Sequence, residues 1–320
     1  MSKNVRILII FLASLLAVQP TQGIVIDTSE TFDQPVSTGI GGRSLVVEEL
    51  TTTWCPSCAE IDPYLFQVAD GHGSRIVLLA LHPTDGEDAF QPEASQHRID
   101  RRMITHPELA STPTFIVEGG ELRIGYDAWG DVQSDILDKE LQRASTSQLA
   151  FEVVRDGEQL VASVSDVSLS VPNGQLTFLL LEHEKDVPSS AINPGEATRD
   201  RVVVGTAECD LSTSNITVSI GLNASSGGPC ASSFSIAFEA TKSWSIVLLH
   251  EPTVEELQSG AIGSSYGSIE MSFRDRVADS SNQSPLIISF FLLIGVALVL
   301  SVFFRNSFQS GKNMLENTQS

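Results

Sequence analysis

The chain has 320 residues, enough for about two domains, with 40 acidic against 19 basic residues and a net charge of −21. That balance argues against nucleic-acid binding, which needs clustered Lys and Arg against phosphate. It suits a generically soluble acidic surface, or solubility in salty surroundings where repulsion is screened.

Lys3 and Arg6 precede an apolar run over 7–18, broken only by Ser14, and Pro20 to Gly23 supply a helix break and small residues. This layout predicts a secretory signal peptide over 1–23, with an uncleaved anchor as the alternative. Residues 24–43 read as a lead-in segment ending in Gly39, Gly41 and Gly42. The apolar stretch 45–50 predicts a short strand. After Cys55-Pro56-Ser57-Cys58, residues Ile61, Tyr64, Leu65 and Val68 recur at helical spacing. The continuous apolar run 76–81, between Arg75 and His82, predicts a strand buried on both faces. Residues 84–105 are polar and predict an inserted helix. A strand follows at 114–117, then a Gly119-Gly120 hairpin turn into 122–124. Residues 127–143 predict an amphipathic helix with Trp129, Val132, Ile136 and Leu141 on one face. Residues 44–146 thus read as an α/β domain.

From 147 to 278 the helical period is absent. Residues 167–171 alternate strictly, as do Ile216, Val218, Ile220 and Leu222, and Phe234, Ile236 and Phe238. Further strands are expected at 176–181, 201–204 and 244–249. Together they predict an all-β, sandwich-like domain of about seven strands. Residues 279–285 are a polar linker. The run 286–304, opening on Leu286 and closing on Phe304, carries no charge. At ~1.5 Å per residue it covers roughly 28 Å, which predicts one C-terminal transmembrane helix and hence a membrane partner. Residues 305–320 are expected as a cytoplasmic tail, with the main body outside; the signal peptide is the stronger argument for that orientation.

Four cysteines fit an oxidising compartment and fall into two pairs. A thiol is nucleophilic only as thiolate, and a Cys just ahead of a helix has its pKa lowered by the free N–H groups and the helix dipole. Cys55 lies between a strand and a helical pattern, and Pro56 suits a first helical position. Cys55 is therefore the expected attacking thiol and Cys58 the resolving one. A zinc site would need two more ligands at matching spacing, and His82, His97 and His106 lack it. No metal and no cofactor are expected.

These features together resemble the thioredoxin-like superfamily. Trp54-Cys55-Pro56-Ser57-Cys58 follows a buried strand, Glu49 sits six residues before Cys55, Pro63 lies eight residues after it, and Thr112-Pro113-Thr114 precedes a strand. The resemblance implies a thioredoxin fold over 44–146. It also implies that Glu49 is a buried acid exchanging protons with Cys58, and that Thr112 and Pro113 form a cis-proline loop that binds substrate backbone. An acid inside an apolar strand is costly without a role, which agrees with that assignment. Trp54 reads equally as core packing or substrate contact, and His82, at the C-terminal end of the central strand where α/β sheets place ligands, reads rather as a satisfied loop histidine. The Pro-Ser dipeptide leaves reductase and oxidase both open. The extra residues around 86–104 are expected as a substrate-facing cap. The whole layout, including the stretch 48–55 and Ala80-Leu81-His82, is similar to outer-membrane-protein-28-type proteins.

Cys209 and Cys230 flank polar turns, so a structural disulfide is the natural reading. Asn215-Ile216-Thr217 and Asn223-Ala224-Ser225 are glycosylation sequons, making Asn215 and Asn223 candidates. The sequence thus predicts a membrane-anchored, extracytoplasmic thiol–disulfide oxidoreductase acting on thiols or disulfides of exported proteins with a redox partner. The alternative is a cell-surface binding or adhesion protein on a thioredoxin scaffold that needs no redox activity.

Overall fold

The computed structural model describes residues 23–143 and 146–274. The chain opens with β1 (Ile24–Ile26), β2 (Val36–Ser37), β3 (Leu45–Leu50), α1 (Pro56–His72), β4 (Ile76–Leu81), α2 (Glu93–Thr105), β5 (Thr114–Val117), β6 (Arg123–Ile124) and α3 (Trp129–Gln142). It continues with β7 (Gln148–Asp156), β8 (Gln159–Ser168), β9 (Gln175–Glu182), β10 (Lys185–Asp186), β11 (Thr198–Arg199), β12 (Val202–Asp210), β13 (Ile216–Ile220) and β14 (Asn223–Ser226). Then come α4 (Cys230–Ser233), β15 (Phe234–Phe238), β16 (Trp244–Glu251), α5 (Val254–Gln258) and β17 (Gly267–Phe273). The fold is mixed α/β with two large sheets and few helices. The predicted signal peptide, linker, apolar span and tail lie outside the described residues. Among the described residues no helix is long and apolar enough to cross a membrane.

One 10-stranded sheet runs in the order β1-β17-β16-β9-β12-β4-β3-β5-β6, with β13 paired to β12. Strands from both halves of the sequence share it. The seam is the parallel contact of Val202 in β12 with Ala80 in β4, where Ala80 N–H donates to the Arg201 carbonyl at 3.0 Å. A 5-stranded sheet, β14-β15-β8-β7-β2, covers part of one face. The core between the two sheets is rich in aromatics, including Phe151, Phe178, Phe234 and Trp244. On the same side of the large sheet, α1 and α3 cover Leu45, Val47, Leu78 and Phe115. On the opposite side a third core joins both halves, with Val46, Val77 and Leu79 beside Leu179, Val203 and Leu249.

Strand alternation separates the adjacent acids of β3. Glu48 lies on the face with Val46 and Leu50, and Glu49 on the face with Leu45 and Val47. Glu48 meets α2, where Arg98 Nε is 2.6 Å from Glu48 Oε1 and Arg102 pairs with Oε2. Arg98 Nη1 also lies 2.7 Å from Glu251 of β16, and Thr177 of β9 donates to Glu251 at 2.8 Å. This buried network ties α2 to strands from both halves.

Several expectations are corrected. Within the segment around 86–104, Asp88 and Ala89 lie against Thr53, but the helical part is not a cap. Its helix α2 lies across the sheet with Ala94, Ser95, Arg98, Ile99, Arg101 and Arg102 buried, because its arginines find carboxylates there. The lead-in contributes β1, parallel to β17, and β2, antiparallel to β7. Leu141 is 86% exposed while Val132 and Ile136 are buried. At about 100° per residue, Leu141 points roughly 180° from Val132. Tyr64 on α1 is likewise exposed. The alternating run 167–171 is strand only to Ser168, after which the chain bends toward β9. Eleven strands, β7 to β17, follow residue 147 among the described residues; β7, for one, forms a hairpin with β8 through Gly157 at φ +63°.

Candidate functional site

The site grows from the end of β3. Thr51 N–H donates to the Leu81 carbonyl at 3.0 Å, continuing the β3–β4 pairing. Thr53 is then fixed twice: its N–H donates to Asp88 Oδ2 at 2.8 Å, and its Oγ1 accepts from Ala89 N–H at 3.0 Å. Cys55 is extended (φ −79°, ψ 117°) and N-caps α1, with Pro56 in the first turn. Cys55 Sγ accepts the Cys58 N–H at 3.1 Å, and the two cysteines form a disulfide. The first turn of α1 holds no acidic residue, and the N–H that faces the sulfur is one of the free donors of the helix start. Cys55 is 4% exposed and Cys58 0%, whereas Pro56 and Ser57 are exposed.

Trp54 is half-buried and donates its Nε1–H to Asp85 Oδ2 at 3.1 Å. His82 is fully buried, with Nδ1 2.9 Å from Asp88 Oδ2. Burial raises the Asp88 pKa, but hydrogen bonds from His82 and the backbone hold it below the ordinary value. The Thr112–Pro113 peptide bond is cis. The antiparallel pairing of Leu50 with Thr114 brings Pro113 to the same end of the sheet as the Thr51–Cys55 turn. The Pro113 carbonyl accepts from Gly125 N–H at 2.9 Å.

Glu49 is fully buried. It lies on the β3 face packed by the inner side of α1, where Cys58, Ile61, Asp62, Leu65 and Ala69 are all buried. Asp62 meets it there. Burial and then the neighbouring Asp62 push the Glu49 pKa well above the ordinary value, against the pull of Arg199. Burial also pushes Asp62 up, to about 6, against its contacts with Glu49, Arg199 and His82.

Sequence reasoning missed Asp62 and Arg199. Asp62 left a signal: four residues after Cys58, it is an acid on the apolar face of α1. Arg199 left none, because it arrives from the β10–β11 hairpin far along the chain. Its Nη2 donates to Asn193 Oδ1 at 2.7 Å and reaches the Thr53 carbonyl at 3.4 Å, while Nη1 donates to the Glu196 carbonyl at 2.7 Å. The loop of this hairpin lies so close to α1 that a Cβ on Gly195 would meet Ala59 Cβ at 2.8 Å. Between hairpin and helix is a partly open cavity of 290 Å³, walled by Ala59, Asp62, Pro63 and Phe66 on one side and Thr198 and Arg199 on the other.

A second polar chain has the residue types of a hydrolase triad. His183 Nδ1 is 2.6 Å from Asp200 Oδ1, and its Nε2 is 2.7 Å from Ser245 Oγ. Ser245 is fully buried on the interior strand β16, and the cavity wall includes Asp200 but neither His183 nor Ser245. A nucleophile must be reachable by its substrate, so this chain is a packing network. Cys209 and Cys230 form the second disulfide, buried in the core between the sheets. Asn215 and Asn223 are exposed.

No family model and no curated protein matches this sequence. Two solved structures are similar to parts of it. One is a structural-genomics protein from Agrobacterium tumefaciens, at 14% identity and a TM-score of 0.45, covering 71% of this chain and 92% of its own. The other is HBP35 of Porphyromonas gingivalis, at 15% identity and a TM-score of 0.49, covering 74% of this chain and 78% of its own.

Proposed function

We propose that this protein is a thioredoxin-like thiol–disulfide oxidoreductase, exported and held at a membrane by residues 286–304, that acts on exported proteins through Cys55 and Cys58. The observation that carries this reading is the Cys55–Cys58 disulfide at the start of α1, with Cys55 Sγ accepting a helix N–H and no acid in the first turn. An N–H donor and the helix dipole favour sulfur as thiolate, which is both the attacking and the leaving form in disulfide exchange. Buried Glu49 under the same helix supports a proton-transfer role. Thr112, Pro113 and Trp54 are the proposed substrate contacts around Cys55.

The test is a Cys58→Ser variant expressed in its native compartment. It should accumulate mixed disulfides through Cys55 that a reductant releases. No such adduct, with Cys55 alkylating no faster than a free thiol, refutes the reading.

The near-complete burial of both sulfurs favours a second reading, a binding module whose disulfide is structural. A double Cys55→Ser, Cys58→Ser variant, at a temperature where it is folded, then keeps full biological activity; loss of activity in the folded variant counts against the binding module.

A further inference from the structure

Two carboxyl groups share the space beneath the first two turns of α1. Glu49 reaches it from β3, and Asp62, 4% exposed, from the helix itself. No donor from any other residue reaches their four oxygens, which leaves the two carboxyls in contact with each other. Arg199 faces them from β11, but its Nε stops 3.6 Å from Asp62 Oδ2 and has no other acceptor. His82, at the end of β4, faces Asp62 as a fourth polar group. Buried polar atoms without partners are rare in folded proteins, and a buried charge without compensation is expensive. One guanidinium compensates one carboxylate, so the pair keeps one proton between them. The arrangement is also directional. Cys58 and Asp62 are one helical turn apart on the same buried face, Glu49 lies beneath that face, and Asp62 alone of the two acids walls the cavity.

We propose that Asp62 and Arg199 are positioning residues for the Cys55–Cys58 reaction: Asp62 passes the proton that Glu49 exchanges with Cys58 to water in the cavity, and Arg199, delivered by the β10–β11 hairpin, holds Asp62 in register. This rests on the oxidoreductase reading above. In the reducing direction, the Cys55 thiolate attacks a substrate protein disulfide, joins one sulfur and expels the other as thiolate. Cys58 then gives its proton to Glu49 as the proton already on Glu49 moves to Asp62, which releases it to cavity water. The Cys58 thiolate attacks Cys55 Sγ, forms the Cys55–Cys58 bond and expels the second substrate thiolate. Two electrons leave the dithiol and reduce the substrate disulfide, and the substrate thiolates take protons from solvent. The oxidising direction is the reverse. The β half of the chain thereby supplies a working part of the thiol site.

The experiment is stopped-flow mixing of the reduced full-length protein with a peptide disulfide from pH 4.5 to 9. It follows mixed-disulfide formation at Cys55 separately from its resolution by Cys58. Asp62→Asn should slow resolution about tenfold at neutral pH, less than a direct general acid–base group contributes because Asp62 acts one step removed. It should also erase the inflexion near pH 6, while formation keeps its wild-type rate and Asp62→Glu restores part of the loss. Arg199→Gln should move the inflexion to higher pH, and Arg199→Lys should bring it back. Thermal melting of each variant checks that it is folded. Resolution and pH profile unchanged in folded Asp62→Asn overturn the proposal. So does a uniform slowing of both phases that Asp62→Glu does not rescue, because that is a structural effect. Wild-type protein that forms no mixed disulfide refutes the oxidoreductase reading itself, a result seen before any variant is made.

Discussion

Replacing Asp62 with Asn should change stability in a way that depends on pH. In the folded protein burial raises the carboxyl from its ordinary 3.8 to about 6. The folded state therefore holds that proton more tightly than the unfolded chain does. Stability from this group is full below pH 3.8 and is lost as pH rises through 6. At ~1.4 kcal/mol per pH unit the penalty reaches about 3 kcal/mol at neutral pH, and about 2 kcal/mol of it develops between pH 4.5 and 7.5. Glu49, relieved of its charged neighbour in the variant, adds to the same sign. Urea unfolding of the oxidised wild type and Asp62→Asn at those two pH values reads the difference directly, since titrating groups outside the pair cancel. The wild type should lose about 2 kcal/mol relative to the variant on going from pH 4.5 to 7.5. A difference that is flat with pH, or a wild type that gains, refutes the buried carboxyl pair.

Three other outcomes follow from the packing. Arg98→Met leaves Glu48 and Glu251 without their shared cation, and should cost about 3–5 kcal/mol in denaturant unfolding. Burial raises both carboxyls but the arginines outweigh it and hold them below their ordinary value, so their contribution is present above the unfolded pKa and is lost as pH falls; acid titration of unfolding should show that loss blunted in Arg98→Met. Gly195→Val drives a side chain into Ala59 and Arg199; overpacking of this kind costs about 1–3 kcal/mol, and loosening the hairpin should slow Cys58 resolution more than Cys55 attack in the same stopped-flow assay. Removing Cys209 and Cys230 together as Ala should cost about 3 kcal/mol, from the loop they close, and leave the exchange rate of Cys55 unchanged at a temperature where the variant is folded.

The parts of the site that lie close together in sequence were legible there. Cys55, Pro56 and Cys58 announce a helix start because a proline fits that position and little else does so well. Glu49 is conspicuous because a carboxylate inside an apolar run needs a reason. Its neighbour Glu48 gave the same signal for a different reason, an ion network, and only the two-residue period of the strand separates their roles. Asp62 was visible in principle as the acid among Ile61 and Leu65, but its importance depends on what lies beneath the helix. Arg199 was beyond reach, because its position comes from the seam at Ala80 and Val202, which joins two stretches that read as separate folds. The same seam explains the misplaced cap: α2 looks like a polar insertion until Glu48 and Glu251, on strands from different halves, are seen to meet its arginines. The lead-in was misjudged because β1 and β2 are only 3 and 2 residues long, too short to show a period.

The most direct measurement is the rate at which Cys55 of the reduced protein is alkylated by iodoacetamide as a function of pH, with Cys58→Ser used to isolate it. If the helix start holds that sulfur as a thiolate, the rate reaches half its plateau well below the free-cysteine value of about 8.5. A midpoint at or above about 8.5 would mean that burial outweighs the helix N–H groups, leaving an inert disulfide where the account puts a reactive one.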